Sequence, residues 1–307
     1  MSEVQVGGVK LAGPVMAASG TFGYGTEVPL LSRQHLGGMV SKGIFLEPRE
    51  GTFPPRIVET PSGMLNAIGL QGPGVEVLIE RYAPLWETWP FPVLVNINGA
   101  SAEEYGELAA RLEGVPGVSG LEINISCPNV KEGGMFFGSN PVAAAEVTAA
   151  VRRRSRLPLW VKLTPMVTDI GLIARAVESE GADALSAVNT FIGTSIDLAT
   201  RRPRLSFGTG GLSGPAIRPL ALLIAQKAAA AVRIPVVGVG GISNGDDALE
   251  FFLAGCSAVQ VGTATFVDPD AIAKVDLGLV SHARRLRAEG AELEGLPLAA
   301  WLAQIPA

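Results

Sequence analysis

The 307-residue chain predicts a (β/α)8 barrel, an α/β fold, and three observations carry that prediction. Eight short apolar runs alternate with longer amphipathic segments from end to end. The runs are rich in Val, Ile, Leu and Ala, as strands covered on both faces are. With 38 glycines and 22 prolines, about one residue in five favours a turn, and no collagen-like period organises them. That composition suits many tight strand–loop junctions. An open doubly wound sheet is the alternative architecture. It leaves the number eight unexplained, whereas eight parallel strands close a barrel.

In chain order the strand candidates are Val15–Ser19, Met39–Ser41, Val93–Asn96, Gly120–Asn124, Leu159–Lys162, Ala184–Asn189, Val236–Val239 and Ala258–Val261. Helical patterns fall near 75–87, 102–113, 141–154, 168–180, 218–232 and 245–254. Asn244-Gly245-Asp246 reads as a helix start, and Asp268-Pro269 places Pro just inside another. Two long stretches rich in Gly and Pro, 44–74 and 190–216, follow the second and sixth strands. In a barrel such insertions lie over the C-terminal face, where sites are built. No linker or low-complexity stretch divides the chain, so residues 1–307 are expected to form a single domain.

Composition removes several function classes. Hydrophobic residues make up 48% and charged ones 17%, which rules out intrinsic disorder. The formal charge is −5 and no basic stripe is present, so nucleic acid is not an expected partner. Two cysteines, Cys127 and Cys256, cannot build a disulfide framework or an iron–sulfur site. Two histidines, His35 and His282, leave no His-rich metal site and little room for a Ser-His-Asp triad. The first twenty residues lack the pattern of a signal peptide, and no run of 18 apolar residues could span a membrane. A soluble cytoplasmic protein is expected.

Read to its end, nearly every strand candidate delivers a polar residue or glycine to one rim. These are Ser19, Ser41-Lys42-Gly43, Asn96, Asn124, Lys162, Asn189-Thr190, Gly240-Gly241 and Gly262-Thr263. One Asn or Lys at a strand end is ordinary. Two lysines and three asparagines on one rim point to a site, because buried ammonium groups need anionic or hydrogen-bonding partners. Gly240-Gly241 before Asn244, with Gly262-Thr263, has the form of a phosphate cradle after strands seven and eight. Two ordinary strand–helix turns are the alternative. The stretch GVGGISNG does not have dinucleotide-fingerprint spacing. Cys256, in LAGCSA, reads as a small buried hydrophobe. Cys127, just past the fourth strand between Ser126 and Pro128, is the candidate titratable group for proton transfer.

These residues carry a resemblance. NISCPNVKEGGMFFG at 124–138, LEPREGTFPPRIVETPSGMLNAIGL at 46–70 and GGLSGPA at 210–216 resemble dihydroorotate dehydrogenases. So do VKLTP at 161–165, Asn189-Thr190 and VGGI at 239–242, and the likeness runs from about Leu11 to Asp270. The resemblance implies a barrel that holds FMN and oxidises dihydroorotate to orotate in pyrimidine biosynthesis. By matching position it makes Cys127 the base that takes the C5 proton while hydride leaves C6 for flavin N5. Membrane-bound class 2 members, which have Ser in that place, are less similar. Lys162 resembles the cation beside the flavin pyrimidine ring, and Lys42 a residue near flavin and substrate. Asn66, Ala67, Ile68, Gly69 and Leu70 would contact substrate, and Asn124, Asn129, Asn189 and Thr190 would hold the planar pyrimidine. Ser19, Gly43, Asn96, Val188, Gly214, Gly240, Gly241, Gly262 and Thr263 match flavin contacts. Gly43 stands where many members carry Thr.

Within the family, the cysteine loop and the PPRIVETP block resemble the NAD-linked class 1 subclass B catalytic subunit. The chain carries neither a nicotinamide fingerprint nor four cysteines, so the resemblance implies a separate subunit with FAD and a 2Fe–2S cluster, on a homodimeric core. A fumarate-dependent class 1 enzyme and a flavin barrel acting on dihydropyrimidines remain alternatives. So does an aldolase or isomerase barrel with Lys162 as a Schiff-base lysine.

Overall fold

Eight of the apolar runs become the strands of one closed parallel barrel in a computed structural model, which describes residues 3–27, 35–126 and 137–289. The barrel strands are β1 (Val15–Ala17), β2 (Met39–Val40), β3 (Val93–Ile97), β4 (Gly120–Asn124), β5 (Leu159–Lys162), β6 (Ala184–Ala187), β7 (Val236–Val239) and β8 (Ala258–Val261). Each pairs in parallel with its sequence neighbour, and β8 closes the ring on β1. Every residue of these strands is buried, as strands between a filled interior and a helical shell must be. The first and sixth strands stop earlier than Ser19 and Asn189. Beyond them Ala18 N–H still donates to Val261 O at 2.9 Å and Asn189 N–H to Leu163 O at 2.9 Å, without a reciprocal ladder.

The shell helices include α1 (Ala102–Leu112), α2 (Pro141–Arg154), α3 (Ile170–Ser179), α4 (Arg218–Ala231), α5 (Gly245–Leu253) and α6 (Ala271–Ala288). Side-chain caps start four of them: Ser101, Asn140, Asp169 and Asn244 each accept a first-turn N–H. The segment 75–86 is helical with a π turn over Leu78–Tyr82. Pro269 does not open a helix as its position predicts. Asp268 ends the short helix Ala264–Val267 and then accepts Ala271 N–H, so α6 begins two residues after the proline.

A hairpin of Val4–Val6 and Val9–Leu11, which the strand pattern does not isolate, closes the N-terminal end of the barrel. Val6, Val9 and Leu11 pack on Met16, Val40, Leu94, Trp160 and Val237, and Trp160 Nε1 donates to Gly7 O at 3.2 Å. Trp160 is fully buried in this plug. Its replacement by alanine is expected to cost about 3–5 kcal/mol in urea unfolding. A midpoint equal to the parent's would show that the plug contributes nothing.

At the opposite end the two insertions meet. The hairpin Ile57–Thr60/Gly63–Asn66 from the β2 side pairs with Gly210–Ser213 from the β6 side, and Phe191–Gly193 extends the sheet to four antiparallel strands. Since β2 and β6 stand opposite each other in the ring, the shared sheet spans the C-terminal mouth. Val58, Leu65 and Leu205 form its own small core.

Candidate active site

The C-terminal mouth encloses a cavity of about 880 Å³. That size suits a cofactor together with a small substrate. Its lining includes Ser19, Lys42, Gly43, Asn96, Asn124, Lys162, Val188, Asn189 and Thr190 from the strand ends. The insertions contribute Asn66, Ala67, Ile68, Gly69, Leu70 and Gly214, and the last two barrel loops contribute Gly240, Gly241, Gly262 and Thr263. Of the residues singled out from the sequence, Cys127 and Asn129 lie outside the described residues. The chain is described up to Ser126, itself buried and in the cavity wall.

Lys162 sits at the floor. Its Nζ donates to Ser19 Oγ at 2.9 Å and lies 3.7 Å from Glu122 Oε1. Lys162 is 4% exposed and Glu122 not at all, so each relieves a charge that burial alone would penalise. Lys42, half-buried just past the end of β2, has its pKa held below the ordinary lysine value by desolvation; the Glu27 carboxylate opposes that shift and the Arg56 guanidinium adds to it. A chain of buried amides crosses from the floor to the rim: Asn98 Nδ2 donates to Asn96 Oδ1 at 3.0 Å, and Asn124 Nδ2 to Asn98 Oδ1 at 2.9 Å.

The glycine end is built differently. Gly240 and Gly241 have φ of +132° and +75°, values an L side chain rarely adopts. A Cβ on Gly241 would also come within 2.6 Å of Arg218 Cβ at the start of α4. The chain there must be bare for α4 and the loop after β7 to approach. Thr263 Oγ1 donates to Ser213 Oγ at 2.7 Å, tying the insertion sheet to the end of β8. Gly43 has a local reason too: a Cβ in its place would lie 2.6 Å from Asn98 Nδ2 and 2.9 Å from Asn96 Oδ1. A bulkier residue would disturb the amide chain.

Sequence reasoning missed Glu122, Asn98, Ser186 and Gln260, all fully or almost fully buried under or beside the cavity. The available signal was a charged or amide residue in the middle of an apolar strand, where it must have a partner.

A closed parallel barrel with polar strand ends gathered around a cavity at its C-terminal mouth has the arrangement of a (β/α)8-barrel enzyme. A family model described as dihydroorotate dehydrogenase matches residues 1–282. The chain is 55% identical over 274 residues, 89% of it and 90% of the relative, to "Dihydroorotate dehydrogenase B (NAD(+)), catalytic subunit" of Citrifermentans bemidjiense. Proteins of the same description from Desulforamulus reducens and Geotalea daltonii are 54% and 53% identical, over 91% of this chain and 92% of each relative. The chain belongs to the dihydroorotate dehydrogenase family. Among the described residues no helix is long and apolar enough to cross a membrane.

Proposed function

We propose that this chain oxidises dihydroorotate to orotate with FMN as resident cofactor, acting in the cytoplasm as the catalytic subunit of an NAD-reducing complex. One observation carries the reading: the described residues that match the family's flavin and substrate positions all line one cavity. The donor set fits the cofactor. Glycine loops able to approach a phosphate stand at one end, and a buried lysine lies at the floor. When bound, FMN supplies the acceptor for the hydride from C6.

The residues of the chain do the rest. Cys127, as thiolate, takes the proton from C5. Lys162 presents positive charge from below, held against Ser19 and Glu122. Asn66, Asn124, Asn129, Asn189 and Thr190 offer amide and hydroxyl groups to a planar pyrimidine, and the shared insertion sheet shields the site from water. Lys42 offers a cation for the substrate. Two such barrels are proposed to form the core, with an FAD- and 2Fe–2S-containing subunit bound to each.

The purified chain is expected to be yellow, to release FMN on denaturation, and to turn over dihydroorotate but not dihydrouracil, which lacks the C6 carboxylate. A colourless protein that gains no activity on FMN addition overturns the flavin reading. Equal turnover of both substrates moves the chain to dihydropyrimidine chemistry.

A further inference from the structure

Barrels of this class fill their interior with layers of bulky branched residues drawn from alternate strands. Under this site one layer is polar instead. Glu122 of β4, Ser186 of β6 and Gln260 of β8, all fully buried, meet there. Ser186 Oγ donates to Glu122 Oε2 at 2.7 Å and Gln260 Nε2 donates to the same oxygen at 3.1 Å. Above them stand Asn96 and Lys162 from the intervening strands. Asn96 Nδ2 donates to Glu122 Oε1 at 2.8 Å, with Lys162 Nζ 3.7 Å from that oxygen.

A carboxylate only accepts. Asn96 must therefore turn its NH2 down to Glu122 and its oxygen up, where it accepts from Asn98 Nδ2. Asn98 thereby turns its oxygen toward Asn124 Nδ2, and Asn124 presents Oδ1 to the donors above it. Those donors are Ser126 Oγ at 2.8 Å, Ser126 N–H at 3.2 Å and Asn189 Nδ2 at 3.3 Å. With its proton committed, Ser126 Oγ accepts from Asn189 Nδ2 at 2.8 Å, and Asn189 Oδ1 accepts Thr190 N–H at 2.8 Å. Reversing any amide would set two acceptors face to face in a buried place, where an unmet polar group is most costly.

We propose that Glu122 is a positioning residue: it fixes the donor–acceptor direction of every amide from Asn96 to Asn189 and anchors Lys162, without lining the cavity itself. The inference rests on the flavin and pyrimidine reading above and deepens it. A neutral amide at the same place could satisfy Asn96 in either orientation, so the direction of the chain would no longer be forced.

The test is Glu122→Gln in the FMN-loaded chain, with orotate binding followed by the change in flavin absorbance. Orotate affinity is expected to fall about 10-fold or more, and the flavin potential to become more positive, because Lys162 keeps its bond to Ser19 Oγ while the neighbouring negative charge is gone. A purely structural role would lower the melting temperature and leave both readouts alone. Orotate affinity within about twofold of the parent overturns the proposal. Should Glu122→Gln fail to fold, Asn98→Ala breaks the same chain without touching Glu122 or Lys162. It is expected to weaken orotate to a similar degree with the flavin potential unchanged, and unaltered orotate affinity in that variant also overturns the proposal. A parent chain that takes up neither FMN nor orotate overturns the functional reading, and this one with it.

Discussion

Replacing Cys127 by serine is expected to slow the bleaching of bound flavin by dihydroorotate by at least ~100-fold, the low end for a positioned general base. Among the described residues of the cavity wall there is no histidine, and the proposed function uses the two lysines there as cations. In the proposed function the proton from C5 goes to the next residue along the chain. Cys127 directly follows Ser126, a wall residue whose hydroxyl is tied to Asn124 and Asn189. A thiol of ordinary pKa, ~8.5, is a small fraction thiolate at neutral pH, and a serine hydroxyl ionises far higher. The parent rate should accordingly rise with pH as Cys127 ionises, and the serine variant should lack that rise. Stopped-flow reduction at several pH values checks both. A serine variant with near-parental rate at neutral pH removes Cys127 from the mechanism.

The barrel was legible because its strands are fully covered. Runs such as Leu159–Lys162 and Val236–Val239 have no exposed face to dilute the apolar signal, and their observed bounds coincide with those runs. The hairpin Val4–Val6/Val9–Leu11 was not legible, since three residues per strand carry too little alternation to register. The insertions stood out by length and glycine content, but their pairing did not. Asn66 lies opposite Gly211, and nothing local in either segment announces a partner so far away in sequence. The site followed the same rule. Residues at strand ends could be assigned to the rim from the barrel's geometry, while Glu122 and Gln260 needed knowledge of which face of the strand points inward. Their meaning appears only when three alternate strands are seen to place one carboxylate under Lys162.

Given dihydroorotate and NAD, the isolated chain is expected to reduce NAD only at background rate, and to do so efficiently once an FAD- and iron–sulfur-containing subunit is added. In the proposed function the two electrons taken from dihydroorotate must reach a nicotinamide, and the sequence offers neither four cysteines for a cluster nor a dinucleotide fingerprint. A 2Fe–2S cluster requires four ligands. Two cysteines are present in all, and Cys256 is fully buried, with its thiol pushed up to about 12 by desolvation. A thiol held protonated inside the core is no cluster ligand. Nor does the glycine stretch after β7 have the spacing of a dinucleotide fingerprint; its glycines face α4 and the cavity. The relatives at 53–55% identity carry NAD(+) and "catalytic subunit" in their descriptions. The assay compares the chain alone, the chain with that subunit, and the chain with fumarate. Robust NAD reduction by the chain alone sinks the two-subunit reading. Efficient fumarate reduction would instead make the chain self-sufficient, with the acceptor entering the same cavity that the substrate leaves.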